Sequence, residues 1–116
     1  MKRLLIAAFV LAAHTASAIE YGATPEAVWI RRFGEKPAFP VTERALREAI
    51  EWQVCGGPVP RIPSFTDYGL KLKRWERTIQ RFGVAPVAEE YADFLRELMA
   101  ELAKDKEKRA KRGNKK

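Results

Sequence analysis

Across residues 66–102 apolar side chains return every three or four positions, and one Gly/Pro break divides the run. That spacing is the signature of a helix with about 3.6 residues per turn. The stretch predicts two helices, DYGLKLKRWERTIQRF and VAEEYADFLRELMAEL, joined through GVAP. Leu72, Trp75, Ile79 and Phe82 share one side of the first. Val87, Tyr91, Phe94, Leu95, Leu98, Met99 and Leu102 make a broader stripe on the second. Such stripes need cover, and each large apolar side chain buried contributes about 1.5–3 kcal/mol. A connection this short favours antiparallel packing of the two helices.

Local punctuation agrees with this division. Thr66 can cap the first helix, with Asp67 favourable in its first turn. Gly69 reads as a weak spot, because glycine costs a helix interior about 1 kcal/mol against alanine. Gly83 stands where a left-handed residue ends a helix, and Pro86 suits the first turn of the next.

Two more helices precede this pair. Thr24-Pro25-Glu26 is a start signal, and AVWIRRF runs to Gly34, with Val28, Trp29 and Phe33 as the packing face. Trp29 reads as a core anchor. Pro37 and Pro40 interrupt the chain. Thr42 then caps ERALREAIEWQVC, whose stripe is Leu46, Ala49, Ile50 and Val54 with Ala45 at its edge, and Gly56-Gly57 ends it. Glu43, Arg47 and Glu51 sit four residues apart, a spacing that adds a few tenths of a kcal/mol per ion pair. PVPRIPSF, with Pro58, Pro60 and Pro63, is extended. It reads as a stiff connector with Val59, Ile62 and Phe65 tucked beneath it, Phe65 stapling the next helix. Its alternative role is to dock an aromatic groove on a partner.

The predicted fold is therefore all-α. It is a small bundle of about four helices in two helix–Gly/Pro–helix hairpins, preceded by a signal-peptide helix. A faint repeat supports the doubling: IRRFG with Pro37 and IQRFG with Pro86 share one offset, which also aligns Leu46-Arg47-Glu48 with Leu95-Arg96-Glu97. A rival register, Trp29, Trp52 and Trp75 at equal spacing with a proline eleven residues after each, disagrees with it by three residues.

The chain ends carry the compartment and charge signals. Lys2 and Arg3, the apolar run LLIAAFVLAA, and Ala16-Ser17-Ala18 form the three parts of a secretory signal peptide. Cleavage is expected after Ala18, with residues 19–103 as the helical domain and a periplasmic or secreted location. The apolar run is shorter than the roughly 20 residues a membrane span needs. Residues 104–116 form a basic tail, expected to extend the last helix for a turn or two and then become disordered. The formal net charge is +7, yet residues 19–103 hold twelve bases and thirteen acids, so the excess lies at the ends.

Chemistry is sparse. His14, the only histidine, falls in the expected leader, which removes histidine-based acid/base catalysis and most zinc sites from the mature chain. Cys55 is alone, so no intramolecular disulfide is possible, and it reads as a buried residue at a helix end, with an intermolecular disulfide as the alternative. No phosphate-binding glycine loop is present. No catalytic residue, metal or cofactor is predicted. Instead, Lys73, Arg74, Arg77 and Arg81 line the outer side of one helix, and Lys108, Arg109, Lys111 and Arg112 crowd the tail.

These features predict a small exported, non-enzymatic binding or accessory protein of the bacterial cell envelope that docks a protein partner. The two basic sets are the candidate contacts, and the tail can also meet anionic lipid or nucleic acid. The alternative is a nucleic-acid-binding helical protein of a phage or mobile element, which holds if residues 1–18 are not a signal. The oligomeric state is not legible from composition or spacing.

Overall fold

A computed structural model describes residues 22–114. Four α-helices are present among them, with no strand: α1 (Pro25–Phe33), α2 (Glu43–Cys55), α3 (Asp67–Phe82) and α4 (Ala88–Asn114), the last entered through a 3-10 turn at Ala85–Val87. The expected signal peptide lies outside the described residues.

The punctuation residues work as expected. Thr24, Thr42 and Thr66 accept hydrogen bonds through their side-chain oxygens from the N–H groups of Ala27, Ala45 and Gly69, at 3.2, 3.0 and 3.0 Å. Each satisfies one of the donors a helix start leaves unpaired. Gly34 and Gly56 end α1 and α2 in the left-handed conformation. Gly83 departs from that pattern. Its φ is positive, at 84°, but ψ is 167°, a combination essentially confined to glycine that turns the chain away from α3.

Gly69 was expected to weaken α3, yet it is buried there for a steric reason. A Cβ at this position would lie 2.0 Å from the carbonyl oxygen of Pro63. The proline-rich connector runs against the first turn of α3, and that carbonyl accepts from both the backbone N–H (3.1 Å) and the hydroxyl (2.7 Å) of Thr66.

The core draws Val28 from α1, Leu46 and Ile50 from α2, and Ile79 from α3 onto Tyr91, Leu95 and Leu98 of α4. The closest helix–helix backbone approach is between α2 and α4, not between the chain neighbours α3 and α4. The pair runs roughly parallel, since Glu43 reaches Val84 and Glu51 reaches Tyr91. Small residues explain the closeness: Ala88 and Ala92 are buried beside Tyr91 and Leu95. α3 stands off α4 on large rings. Trp75 meets Tyr91 and Phe94 with centroids 5.7 and 6.2 Å apart, and Tyr68 stacks on Phe94 at 6.4 Å. The order of those contacts makes α3 and α4 antiparallel.

Two expectations about apolar side chains are corrected. Phe82 is exposed, because the glycine turn ends α3 before that side chain reaches the core. Val59 and Ile62 do pack on the core, but Phe65 is 85% exposed and staples nothing. The bond from Thr66 to Pro63 turns the connector so that its last side chain faces water. α4 also runs to Asn114, beyond the one or two extra turns expected, in a stretch rich in Lys and Arg, both good helix formers. The two halves of the sequence repeat are used unequally: Leu46 and Leu95 are both fully buried, whereas Ile30 is exposed where Ile79 is covered.

Candidate partner-binding surface

The periodicity that buries one side of α3 dictates what its other side presents. Tyr68, Leu72, Trp75 and Ile79 face the core or pack against it. Lys73, Arg74, Arg77 and Arg81 are all exposed. Among the described residues none of these four enters an ion pair. Arg81 rests over the ring of Phe82 at 5.2 Å, which gives that exposed aromatic a cationic cover.

Other bases are committed to the fold. The Arg32 side chain is only 6% exposed. Its Nε donates to Gln53 at 2.8 Å, and one terminal nitrogen donates to both oxygens of Glu89 at 3.1 Å. One guanidinium thus joins α1, α2 and the start of α4. Arg47 pairs with Glu51 at 3.0 Å, and the Tyr91 hydroxyl donates to the same carboxylate. Burial pushes the Tyr91 phenol well above its ordinary value, helped by the hydrogen bond to Glu51 and the charge on that carboxylate. Burial, then Glu51, also pushes the Cys55 thiol up. The expected pairing of Glu43 with Arg47 is replaced by a longer reach. Glu43 accepts from the backbone N–H groups of Val84 (2.6 Å) and Ala85 (3.4 Å), so a carboxylate of α2 caps the turn into α4.

The tail bases Lys108, Arg109, Lys111 and Arg112 are exposed on the distal part of α4. The structure does not bring them together with the α3 set. Trp75 lies beside Tyr91 and Phe94, so Lys108 is displaced roughly 20 Å further along the α4 axis. The two basic sets are separate surfaces.

Sequence reasoning missed Arg32 and Glu43, and no local pattern marks either, because their partners lie 57 and 41 residues away. It also missed the exposure of Trp52, at 60%, which lies outside the stripe of α2. An open groove of about 560 Å³ runs between the connector and α3, lined by Val59, Pro60, Ile62, Pro63 and Leu72 with Arg61 and Glu76. No described helix is long and apolar enough to cross a membrane. No family model, curated protein or solved structure matches the chain.

Proposed function

We propose that this chain is a small exported, non-enzymatic binding protein of the bacterial cell envelope, acting by docking an acidic protein partner. Secretion or conjugation accessories, inhibitors and immunity proteins work in this way. The supporting observation is the contrast between two classes of base. Arg32 and Arg47 are held in the fold by carboxylates, whereas Lys73, Arg74, Arg77 and Arg81 stand exposed on a helix whose opposite side is anchored in the core. A rigid row of cations at helical spacing suits charge-complementary docking, which sets specificity and on-rate more than raw affinity. The proposal includes two helix–break–helix hairpins whose second helices lie at the centre, a leader removed after Ala18, and a periplasmic or secreted location.

Reversing Arg77→Glu and Arg81→Glu tests the surface. Capture of the envelope partner is lost while far-UV circular dichroism is unchanged; retained capture rejects the assignment. Mass spectrometry of the N-terminus tests export, with Ile19 as the expected first residue.

The continuous exposed helix that carries Lys108, Arg109, Lys111 and Arg112 favours a second reading, a nucleic-acid-binding protein of a phage or mobile element. An intact Met1, with salt-dependent DNA retention lost on deleting residues 104–116, selects that reading over the first.

A further inference from the structure

α4 carries a charge pattern that the α3 partner surface does not use and that packing within the fold engages only in part. Asp93, Glu97, Glu101, Lys104, Lys108 and Lys111 follow one another at spacings of four, four, three, four and three residues. At about 100° per residue they return to one narrow face over five turns. The face changes sign once, between Glu101 and Lys104. Five of the six residues are exposed and Glu101 is half-buried.

Ordinary helix electrostatics do not account for this order. The macrodipole favours acids only in the first turn and bases only in the last, and Glu97 and Glu101 lie two to four turns inside α4. Along the face, neighbours three or four apart carry the same sign except at the single junction. Like charges at that spacing destabilise a lone helix. Local partners are few: Asp93 takes Arg96, Glu97 accepts from the Tyr68 hydroxyl at 3.4 Å, and Asp105 and Glu107, three or four residues from the lysines, form no ion pair with them among the described residues. Lys104, Lys108 and Lys111 enter no ion pair among the described residues. Residues 103–113 are exposed throughout, and a helical stretch of that length is marginal in water without a surface to lie on.

The arrangement becomes complementary against its own reverse. We propose that the chain pairs with a second copy of itself through this face, α4 antiparallel to α4. The two-fold axis passes between Leu102 and Ala103. Glu101 then meets Lys104 of the other copy, Glu97 meets its Lys108, and Asp93 meets its Lys111, each contact occurring twice. A two-fold interface must be self-complementary in this manner. The parallel alternative sets acid on acid and base on base, so the charges select direction as well as partner. The lengths agree too. The exposed end of α4 spans about 18 Å, enough to cover the acidic half of the other copy. This inference does not depend on the envelope-partner reading, because it uses a different helix face.

The test is sedimentation of the full chain, as its producing cell leaves it, at low and high salt. At about 0.01 M salt, where charges interact over roughly 30 Å, a dimer is expected; at 1 M, where they reach roughly 3 Å, a monomer. Two variants reverse one half each: Asp93→Lys, Glu97→Lys and Glu101→Lys in the first, Lys104→Glu, Lys108→Glu and Lys111→Glu in the second. Each alone should lose at least about tenfold in self-association, and an equimolar mixture should regain it as a heterodimer. Far-UV circular dichroism of each variant checks that the fold is intact, and recovery in the mixture shows that both halves remain competent. A wild-type monomer at every concentration in low salt overturns the proposal, including one that instead binds anionic vesicles or DNA. So does a dimer indifferent to either reversal.

Discussion

Replacing Gly69 with alanine should destabilise the protein, although alanine is the better helix former by about 1 kcal/mol. The added Cβ would stand 2.0 Å from the Pro63 carbonyl oxygen and 2.9 Å from its carbonyl carbon. Both are backbone atoms, so no side-chain rotation relieves the clash, and the connector must move by more than 1 Å to reach ordinary contact. That movement breaks the two hydrogen bonds from Thr66 to Pro63, each contributing about 0.5–1.5 kcal/mol. It also disturbs the Thr66 cap on Gly69, worth about 1 kcal/mol. After subtracting the gain in helix propensity, the net loss is about 1–3 kcal/mol, or a fall in Tm of roughly 10 °C for a domain of this size. Thermal unfolding followed at 222 nm reads it directly. Gly57→Ala is the control, since nothing lies within 4 Å of a Cβ there, and it should change stability by less than about 0.5 kcal/mol. A Gly69→Ala protein as stable as the parent, or more so, would refute the close approach of connector to helix.

Four further outcomes follow from the polar contacts and the lone thiol. Glu43→Ala removes the acceptor for Val84 and Ala85 and should cost about 1.5–3 kcal/mol in urea unfolding; an unchanged midpoint would show that water satisfies those donors equally well. Arg32→Lys cannot reproduce the contacts to Gln53 and Glu89 together and should cost about 1 kcal/mol or more by the same measurement. The Tyr91 phenol is raised in the folded state, so its stabilising effect is complete below the unfolded value near 10 and is lost as pH climbs above it. Alkaline unfolding of Tyr91→Phe should therefore show a shallower decline above about pH 10 than the parent. The raised Cys55 thiol should react with a disulfide reagent more slowly at neutral pH than a free cysteine, and should accelerate on unfolding.

The helix boundaries were legible because their signals are local. Thr24, Thr42 and Thr66 act through the N–H three residues on, and Gly34 and Gly56 act through their own dihedrals. The basic row of α3 was legible because one period sorts both its buried and its exposed sides. What spacing could not give was the pairing order. Nothing in the stripe of α2 marks it as the closest neighbour of α4; that follows from Ala88 and Ala92, small residues whose value depends on what lies opposite. Gly69 was misread for the same reason, since the group that forbids a side chain there comes from the connector and not from the helix. Phe65 and Phe82 show the converse. Apolar residues at helix ends look like core in a periodic count, but the direction of the adjoining turn decides whether they arrive there.

The reach of Glu43 bears on how the molecule can be divided. A carboxylate in the first half closes the turn between α3 and α4 within the second, and Arg32 holds the same joint from another side. Cutting the chain within the connector, between α2 and α3, should not release two free-standing hairpins. The severed pieces should stay associated, and each made alone should be largely unfolded until the other is added, so that recovery of helicity on mixing becomes a measure of this joint.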